Sequence, residues 1–110
     1  MEVLDVKLIC MLYVPFPADR DYAAWCKSLM ERKLAASINA LHGKSFLFWE
    51  GRLHVEDEII LVMKTSREKA DELKKVVKAE HPYRVPAILE LLLSDVNKDY
   101  LEWVMETTSR

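Results

Sequence analysis

Residues 46–55 read FLFWEGRLHV, two strand-like runs of apolar residues on either side of Glu50-Gly51. A two-residue connection containing glycine between two such runs is typical of a tight β-hairpin turn. The second run continues into Ile59-Ile60-Leu61-Val62-Met63. The pattern therefore predicts a β-hairpin that is long for a chain of 110 residues, with Phe48 and Trp49 near its tip.

Two polar segments are expected to disturb the regularity of this hairpin. The outgoing strand is predicted over residues 34–39 and again over 45–49, with an interruption at residues 42–44, His-Gly-Lys. The return strand ends near Thr65 and contains Glu-Asp-Glu at residues 56–58. This charged run predicts an exposed bend or bulge, because such runs are more often solvated than ligand-binding.

The chain before the hairpin predicts one strand and one helix. Residues 5–14 are rich in β-branched and aliphatic side chains, as strands are. Pro15 and Pro17 are expected to end that strand, because proline cannot extend a hydrogen-bonded ladder. Either Asp19 or Asp21 can cap the helix that follows, since a short carboxylate accepts hydrogen bonds from the first turn.

The chain after the hairpin predicts a helix, a fourth strand and a short last helix. Ser66 is the expected cap of a helix with its body at residues 69–80, and His81-Pro82-Tyr83 ends it because a residue before proline avoids helical ψ. Residues 86–93 predict the fourth strand, and Asn97 caps the last helix. The order β-α-β-β-α-β plus a terminal helix is the ferredoxin-like α+β arrangement.

The strands predict a sheet that is apolar on both faces. Residues 8–12, 59–63 and 88–93 are almost entirely apolar, at both strand parities. In a ferredoxin-like arrangement the two long helices cover only one face, and a large exposed apolar patch usually marks an interface. We therefore expect a cyclic oligomer to which Phe48 and Trp49 at the hairpin tip contribute. This pattern leaves dimer and trimer both open.

Composition argues against several classes of protein. The chain carries 16 Lys and Arg against 18 Asp and Glu without a basic stripe, so neither nucleic acid nor a membrane is an expected partner. Its length predicts a single domain, residues 1–110.

Cys10 and Cys26 lie among apolar residues and predict buried thiols, and no leader-like segment is evident, so we expect a cytoplasmic protein. The sequence carries no nucleophile-elbow, phosphate-loop, HExxH or CxxC motif, so it is not expected to be an enzyme.

Five segments, in order and in register, resemble the CutA divalent-cation tolerance family. They are KLAASIN at 33–39, FWEGRL at 48–53, VMKT at 62–65, HPYRVP at 81–86 and NKDYLEW at 97–103. The resemblance implies a ferredoxin-like fold and a homotrimer with clefts between subunits, like those of the PII signalling proteins. It also implies a role in tolerance to copper and other divalent cations, with no enzymatic reaction and no required cofactor.

The resemblance further implies a candidate metal site. A bacterial copper site of this family uses a cysteine late in the first strand and a pair of histidines before Pro-Tyr. Here the corresponding residues are Val14 and Glu80-His81, and Ser37 stands where the family usually has cysteine. Imidazole and carboxylate suit Cu(II) or Zn(II) better than Cu(I), which prefers sulfur. His81 and Glu80 are therefore the expected ligands of a modestly bound copper or zinc ion. The alternative is a structural His81 that interacts with the last carbonyls of its helix.

Four residues from these segments are candidates for lining a cleft between subunits: Lys64, Tyr83, Glu50 and Ser37. A cation at Lys64, directly after an apolar strand, suits an anionic ligand. The alternative function is therefore a PII-like signalling or binding module whose cleft takes a small anion or a partner protein. The structural alternatives are a Lys64 that pairs with a carboxylate and a Trp49 that packs at the trimer contact.

Overall fold

The computed structural model of the chain describes residues 8–109. Its elements are β1 (Ile9–Pro17), α1 (Tyr22–Glu31), β2 (Ser37–Trp49), β3 (Arg52–Ser66), α2 (Arg67–Glu80), β4 (Leu89–Leu92) and α3 (Lys98–Thr107). The strands form one antiparallel sheet in the order β2-β3-β1-β4. This arrangement confirms the predicted ferredoxin-like α+β fold with an additional C-terminal helix.

The first strand continues through both prolines, so the prediction that Pro15 and Pro17 end it was wrong. Residues 5–7 of the predicted strand lie outside the described residues. Pro15 pairs in register with Ile60 and its carbonyl accepts a hydrogen bond from the side chain of His81. The nitrogen and the carbonyl of a strand residue point to the same side, so Pro15 turns its nitrogen away from β3. Neither proline removes a hydrogen bond from the β1–β3 ladder, which explains why the strand tolerates them.

The hairpin is continuous, so the predicted interruption at residues 42–44 and the predicted bend at residues 56–58 were also wrong. Gly43 pairs with Glu58, and Lys44 pairs with Asp57 through a cross-strand salt bridge of 2.9 Å. The polar side chains are therefore matched across the two strands, and opposite charges facing each other stabilise a ladder.

The turn of the hairpin is the predicted two-residue connection. Trp49 pairs with Arg52, and the two residues between them, Glu50 and Gly51, have φ values of 53° and 77°. Positive φ at both central positions is the requirement of the type I′ turn, whose twist matches that of a hairpin. This two-residue turn therefore joins β2, a strand of 13 residues, to β3, a strand of 15 residues.

The core lies between the sheet and helices α1 and α2. Alternate residues of β1 and β3 point into it, because successive side chains of a strand face opposite sides. The fully buried strand residues of this core are Leu12, Val14, Ile59, Leu61 and Met63, and they pack against Leu29 of α1 and Leu73 and Val77 of α2.

Side chains fix the starts of the first two helices. The Asp21 carboxylate accepts from the backbone N–H of Ala24 at 3.0 Å, and the Ser66 hydroxyl accepts from the N–H of Lys69 at 3.3 Å. Asp21 rather than Asp19 is therefore the cap of α1. Asn97 occupies the N-cap position of α3 without a side-chain bond to the helix. The fourth strand has four residues rather than the eight predicted.

The second face of the sheet is only partly covered within the chain. Helix α3 packs over one end of it through Val104, which is buried with Ile9 and Ala36. Away from α3 the large apolar side chains Tyr13, Leu41, Leu89 and Leu91 remain exposed. We call these four side chains the open sheet face. None of the helices among residues 8–109 is long and apolar enough to cross a membrane.

The part of the hairpin beyond the rest of the sheet, residues 44–57, is called the arm. One face of the arm carries Phe46 and Phe48, which pair across the strands with Val55 and Leu53. All four side chains are more than half exposed, and Phe48 is 76% exposed. The chain thus presents two apolar surfaces, the open sheet face and this face of the arm.

Candidate functional site

His81 follows directly after α2 and lies in a buried position, with 7% of its surface exposed. Its Nε2 atom lies 2.8 Å from the carbonyl oxygen of Pro15, and its Nδ1 atom lies 3.1 Å from the backbone nitrogen of Tyr83. A carbonyl oxygen only accepts and a backbone N–H only donates, so Nε2 carries the proton and Nδ1 is the acceptor. Burial lowers the pKa of His81, although the Pro15 carbonyl and the Glu58 carboxylate act in the opposite direction.

Aromatic rings surround this imidazole. Phe16 of β1 stacks on Trp25 of α1 with ring centroids 4.8 Å apart, and both meet His81 edge-on at 5.2 Å and 6.2 Å. The ring of Tyr83 lies 4.9 Å from the same imidazole on another side. These contacts exclude water from His81 and account for its preference for the neutral form.

Glu80, the other expected metal ligand, lies on the surface in a separate set of hydrogen bonds. Its two oxygens accept from the guanidinium of Arg32 at 2.9 Å and 3.0 Å, and Oε1 also accepts from the indole N–H of Trp25 at 2.9 Å. The hydrogen bonds from Arg32 and Trp25 lower the pKa of Glu80, and the same contact raises the pKa of Arg32. Glu80 therefore links α1 to the end of α2.

The structure does not bring Glu80 and His81 together as a ligand pair. The carboxylate is held by Arg32 and Trp25, and both ring nitrogens of His81 are engaged by backbone groups. Val14, the third position that the resemblance associated with metal binding, is fully buried in the core. Within residues 8–109 there is no group of three or more His, Cys, Asp or Glu side chains arranged to hold a metal ion.

Glu58 is a site residue that the sequence analysis missed. Its carboxylate is 94% buried (6% exposed) and accepts from the hydroxyl of Tyr83 at 2.7 Å and from the hydroxyl of Ser45 at 2.5 Å. Burial and the adjacent Glu58 carboxylate both raise the pKa of Tyr83. The sequence did contain a signal for this position. If β3 is unbroken, the alternation of side chains along the strand places Glu58 on the same face as Ile60, Val62 and Lys64.

A groove of about 480 Å³ opens beside Tyr83. It lies between the arm and the segment of residues 82–85 that follows α2, and we call it the arm groove. Its lining side chains are Leu47, Trp49, His54, Glu56, Glu58, Pro82, Tyr83, Arg84 and Val85. The guanidinium of Arg84 lies 5.9 Å from the ring centroid of Trp49. Trp49 therefore faces this groove, whereas Phe48 lies on the opposite face of the arm.

Lys64 lies near α3, on the side of the sheet that also carries the open sheet face. It is 8% exposed. Its ammonium donates to the side-chain oxygen of Asn39 and to the carbonyl of Val62, which are neutral acceptors. Burial lowers the pKa of Lys64. Ser37 pairs with Lys64 in register, and its hydroxyl lies 3.3 Å from that of Tyr100. Among the described residues no carboxylate forms a salt bridge with Lys64.

The four cleft candidates do not converge within one chain. Ser37 and Lys64 lie opposite each other at the base of the hairpin, whereas Glu50 lies in the turn at its tip. Because a strand rises about 3.3 Å per residue, the two ends are separated by about 40 Å. Tyr83 lies between them, beside Glu58. A small ligand bound within one subunit can therefore contact Ser37 and Lys64 together but not Glu50.

Solved structures of other proteins share this fold over nearly the whole chain. A crystal structure of the divalent ion tolerance protein CutA1 from Ehrlichia chaffeensis superposes with a TM-score of 0.88 at 28% identity, covering 96% of this chain and 99% of that one. The periplasmic divalent cation tolerance protein CutA from Archaeoglobus fulgidus superposes with a TM-score of 0.87 at 33% identity, covering 93% and 100%. In sequence, the divalent-cation tolerance protein CutA of Pyrococcus horikoshii is 35% identical over 100 residues, which are 91% of this chain and 98% of that protein.

The fold and these neighbours define a ferredoxin-like α+β protein of the divalent-cation tolerance class. The family model described as "CutA1 divalent ion tolerance protein" matches residues 10–107. The chain belongs to the CutA1 family.

Proposed function

We propose that the chain is a cytoplasmic, non-enzymatic divalent-cation tolerance protein that works as a homotrimer and binds copper or zinc modestly. The observation that carries this proposal is the family match over residues 10–107. The proposal covers residues 1–110 as one domain.

The two apolar surfaces of the chain support the homotrimer. Side chains such as Leu89 at 53% exposure and Phe48 at 76% are costly to leave in water, and a soluble protein usually covers such patches with a partner. Light scattering on a size-exclusion column is expected to give three times the mass of one chain. Leu89→Lys and Phe48→Ser are expected to reduce that mass, whereas Glu72→Lys on the outer face of α2 leaves it unchanged. A monomer mass for the unaltered protein contradicts this part of the proposal.

Glu80 and His81 remain the sequence-based candidates for the metal ligands. Binding at His81 requires Nδ1 to exchange its hydrogen bond from Tyr83 for the metal, and Glu80 must leave Arg32. Both exchanges cost free energy, so the geometry favours weak rather than tight binding. Calorimetry with Cu(II) and Zn(II) on the wild type and on His81→Ala tests this assignment. Equal binding by the two proteins removes His81 from the site, and no binding by the wild type contradicts metal binding altogether.

The alternative function, a PII-like module that binds a small anion, rests on Lys64. A buried ammonium with only neutral acceptors has charge left to offer to an anion, and Ser37 lies directly opposite it. A thermal-shift series with phosphate, sulfate and small carboxylates is expected to show saturable stabilisation of the wild type. Lys64→Ala should abolish that stabilisation, whereas Lys75→Ala on the exposed side of α2 should keep it. Absence of any anion-dependent shift contradicts this function.

The cytoplasmic location is supported by the thiols. Cys10 and Cys26 are both free, and burial raises the pKa of Cys10 to about 11, so it is held as a protonated thiol. Free cysteines are common in reducing compartments, although the Archaeoglobus fulgidus relative is described as periplasmic. Fractionation of the source cells with an antibody against the protein tests the location, and recovery outside the cytoplasm contradicts it.

A further inference from the structure

The arm groove is a cavity that contains none of the proposed metal ligands and not Lys64. Its volume of about 480 Å³ falls within the range of small-molecule sites, about 300 to 1,000 Å³. Apolar side chains such as Leu47, Pro82 and Val85 form part of its wall, and titratable side chains form the rest. A groove of this composition suits a ligand with an apolar body and one charged group.

Two carboxylates, Glu56 and Glu58, and one guanidinium, Arg84, line the groove, so its formal charge is negative. Glu58 is a buried carboxylate whose two hydrogen-bond donors, the hydroxyls of Ser45 and Tyr83, are both neutral. Among the described residues no lysine or arginine forms a salt bridge with it. Glu56 adds a second carboxylate to the lining, and the negative charges of Glu58, Glu56 and Asp19 together disfavour ionisation of Tyr83 and raise its pKa. A buried anion without a counter-cation is unfavourable, so the groove attracts a positive ligand.

The aromatic wall of the groove already accepts a cation. The Arg84 guanidinium lies 5.9 Å from the ring centroid of Trp49, within the range of a cation–π interaction. Trp49 is 39% exposed, so part of its surface remains open to a ligand. The wall and the buried carboxylate are independent features, and both favour a cation.

We propose that the arm groove binds a small organic ammonium ion, with its positive group directed to Glu58 and its apolar body packed against Trp49 and Leu47. A metal ion is a poorer fit, because residues 8–109 hold no group of three His, Cys, Asp or Glu ligands. In the groove, Nδ1 of His54 and Oε2 of Glu56 are 4.0 Å apart. Glu80, His81 and Lys64 do not line the groove, so variants of Glu58 and Trp49 test this proposal without altering the residues of the proposed metal and anion sites.

The test is a titration of the ¹⁵N-labelled full chain with n-butylammonium chloride, followed through the indole N–H resonance of Trp49. The neutral analogue 1-butanol is titrated in parallel, and Zn(II) chloride is a third probe. Saturable shifts at Trp49 are expected with butylammonium and not with butanol or Zn(II). Glu58→Gln keeps the acceptor for the Tyr83 hydroxyl but removes the charge, and we expect it to weaken binding about 10- to 100-fold.

Two further variants keep the test decisive if Glu58→Gln proves unstable. Trp49→Leu is expected to weaken binding about threefold. Because this variant lacks the indole resonance, its binding is measured by calorimetry. Arg84→Ala removes a competing cation and is expected to tighten binding, which a merely structural role of the groove does not predict. Glu72→Gln, at an exposed site on α2, is the matched control for lost negative charge and should bind as the wild type does.

Three results overturn the proposal. The first is equal response to butylammonium and butanol, and the second is unchanged affinity in both Glu58→Gln and Trp49→Leu. The third is a Trp49 response to Zn(II) alone, which makes the groove a metal site. If the Glu58 and Trp49 variants change the oligomeric mass rather than the affinity, the groove is a subunit contact and the proposal fails as well.

Discussion

The Nε2 atom of His81 donates a hydrogen bond to the carbonyl oxygen of Pro15 at 2.8 Å, and this bond joins the end of α2 to β1 beyond the last residue paired with β4. The opposite ring nitrogen accepts from the backbone N–H of Tyr83. One neutral imidazole thus orients the 82–85 segment and satisfies a carbonyl that β4 is too short to reach. Protonation at Nδ1 would turn that acceptor into a second donor facing the N–H of Tyr83.

Stability is therefore expected to fall when His81 is protonated. Burial places its folded-state pKa below the ordinary value of 6.5, so the unfolded chain binds the proton more tightly. The contribution is fully present above pH 6.5 and is lost as the pH falls from 6.5 toward the folded-state pKa. Each tenfold difference in proton affinity corresponds to about 1.4 kcal/mol. Urea unfolding between pH 5 and pH 8 measures the effect.

His81→Gln tests this pH dependence, because a glutamine side chain keeps hydrogen-bonding groups but does not titrate. The slope of unfolding free energy against pH below 6.5 should become smaller than in the wild type. The same slope in both proteins would show that His81 does not titrate differently in the folded and unfolded states.

Glu80→Gln is expected to lower the free energy of unfolding by about 0.5 to 1 kcal/mol. The carboxylate makes a two-pronged contact with Arg32, but the two side chains are 39% and 40% exposed, so water screens much of the attraction. Chemical denaturation of Glu80→Gln, Arg32→Met and the double variant gives the coupling energy. Glu72→Gln on the same helix is the control and should change stability little; a coupling energy of zero contradicts the prediction.

Tyr83→Phe is expected to cost about 1 to 3 kcal/mol of stability, because it leaves an oxygen of the buried Glu58 without a donor. Thermal and urea unfolding at neutral pH measure the loss. Tyr13→Phe removes the same hydroxyl from a ring that is 37% exposed and should be nearly neutral. Similar small losses in both variants would mean that water replaces the Tyr83 hydroxyl at Glu58.

Gly51→Ala is expected to destabilise the hairpin by about 1 kcal/mol, because φ of 77° is unfavourable for a residue with Cβ. Glu50→Gly relieves the same kind of strain at φ of 53° and should be neutral or slightly stabilising. The matched comparison is Gly43→Ala, whose added Cβ would lie 3.4 Å from a side-chain atom of Ile60 without a positive φ. Amide hydrogen exchange at Trp49 and Arg52 reports the local effect, and equal exchange in Gly51→Ala and the wild type contradicts it.

Local patterns of sequence predicted the elements but not their full extent. The Glu50-Gly51 turn, the capping Ser66 and the order of strands and helices followed from propensities within a few residues. The continuity of β1 through Pro15 did not, because it depends on which edge of the strand the proline nitrogen faces. The unbroken ladder at residues 42–44 and 56–58 likewise depends on cross-strand pairs such as Lys44 with Asp57.

For the candidate sites, too, the sequence indicated residues of interest but not the contacts that they make. The resemblance to the family identified His81 and Tyr83 as residues of interest, but it did not indicate that backbone groups engage both ring nitrogens of His81. Glu58 belongs to the charged run at residues 56–58, which the sequence pattern predicted to be exposed. The segment at residues 82–85 places the Tyr83 hydroxyl on the Glu58 carboxylate at the base of the arm.

The sequence by itself determined the ferredoxin-like order of elements, the tight hairpin turn and an apolar excess too large for two helices to cover. Hydrophobic periodicity and turn chemistry are local properties, so they can be inferred without coordinates. Only the tertiary structure decided that Glu80 pairs with Arg32, that His81 bonds to Pro15 and that Glu58 lies buried beside Tyr83. Those contacts join residues that are 25 to 66 positions apart in the sequence, and their geometry depends on how the helices pack on the twisted sheet.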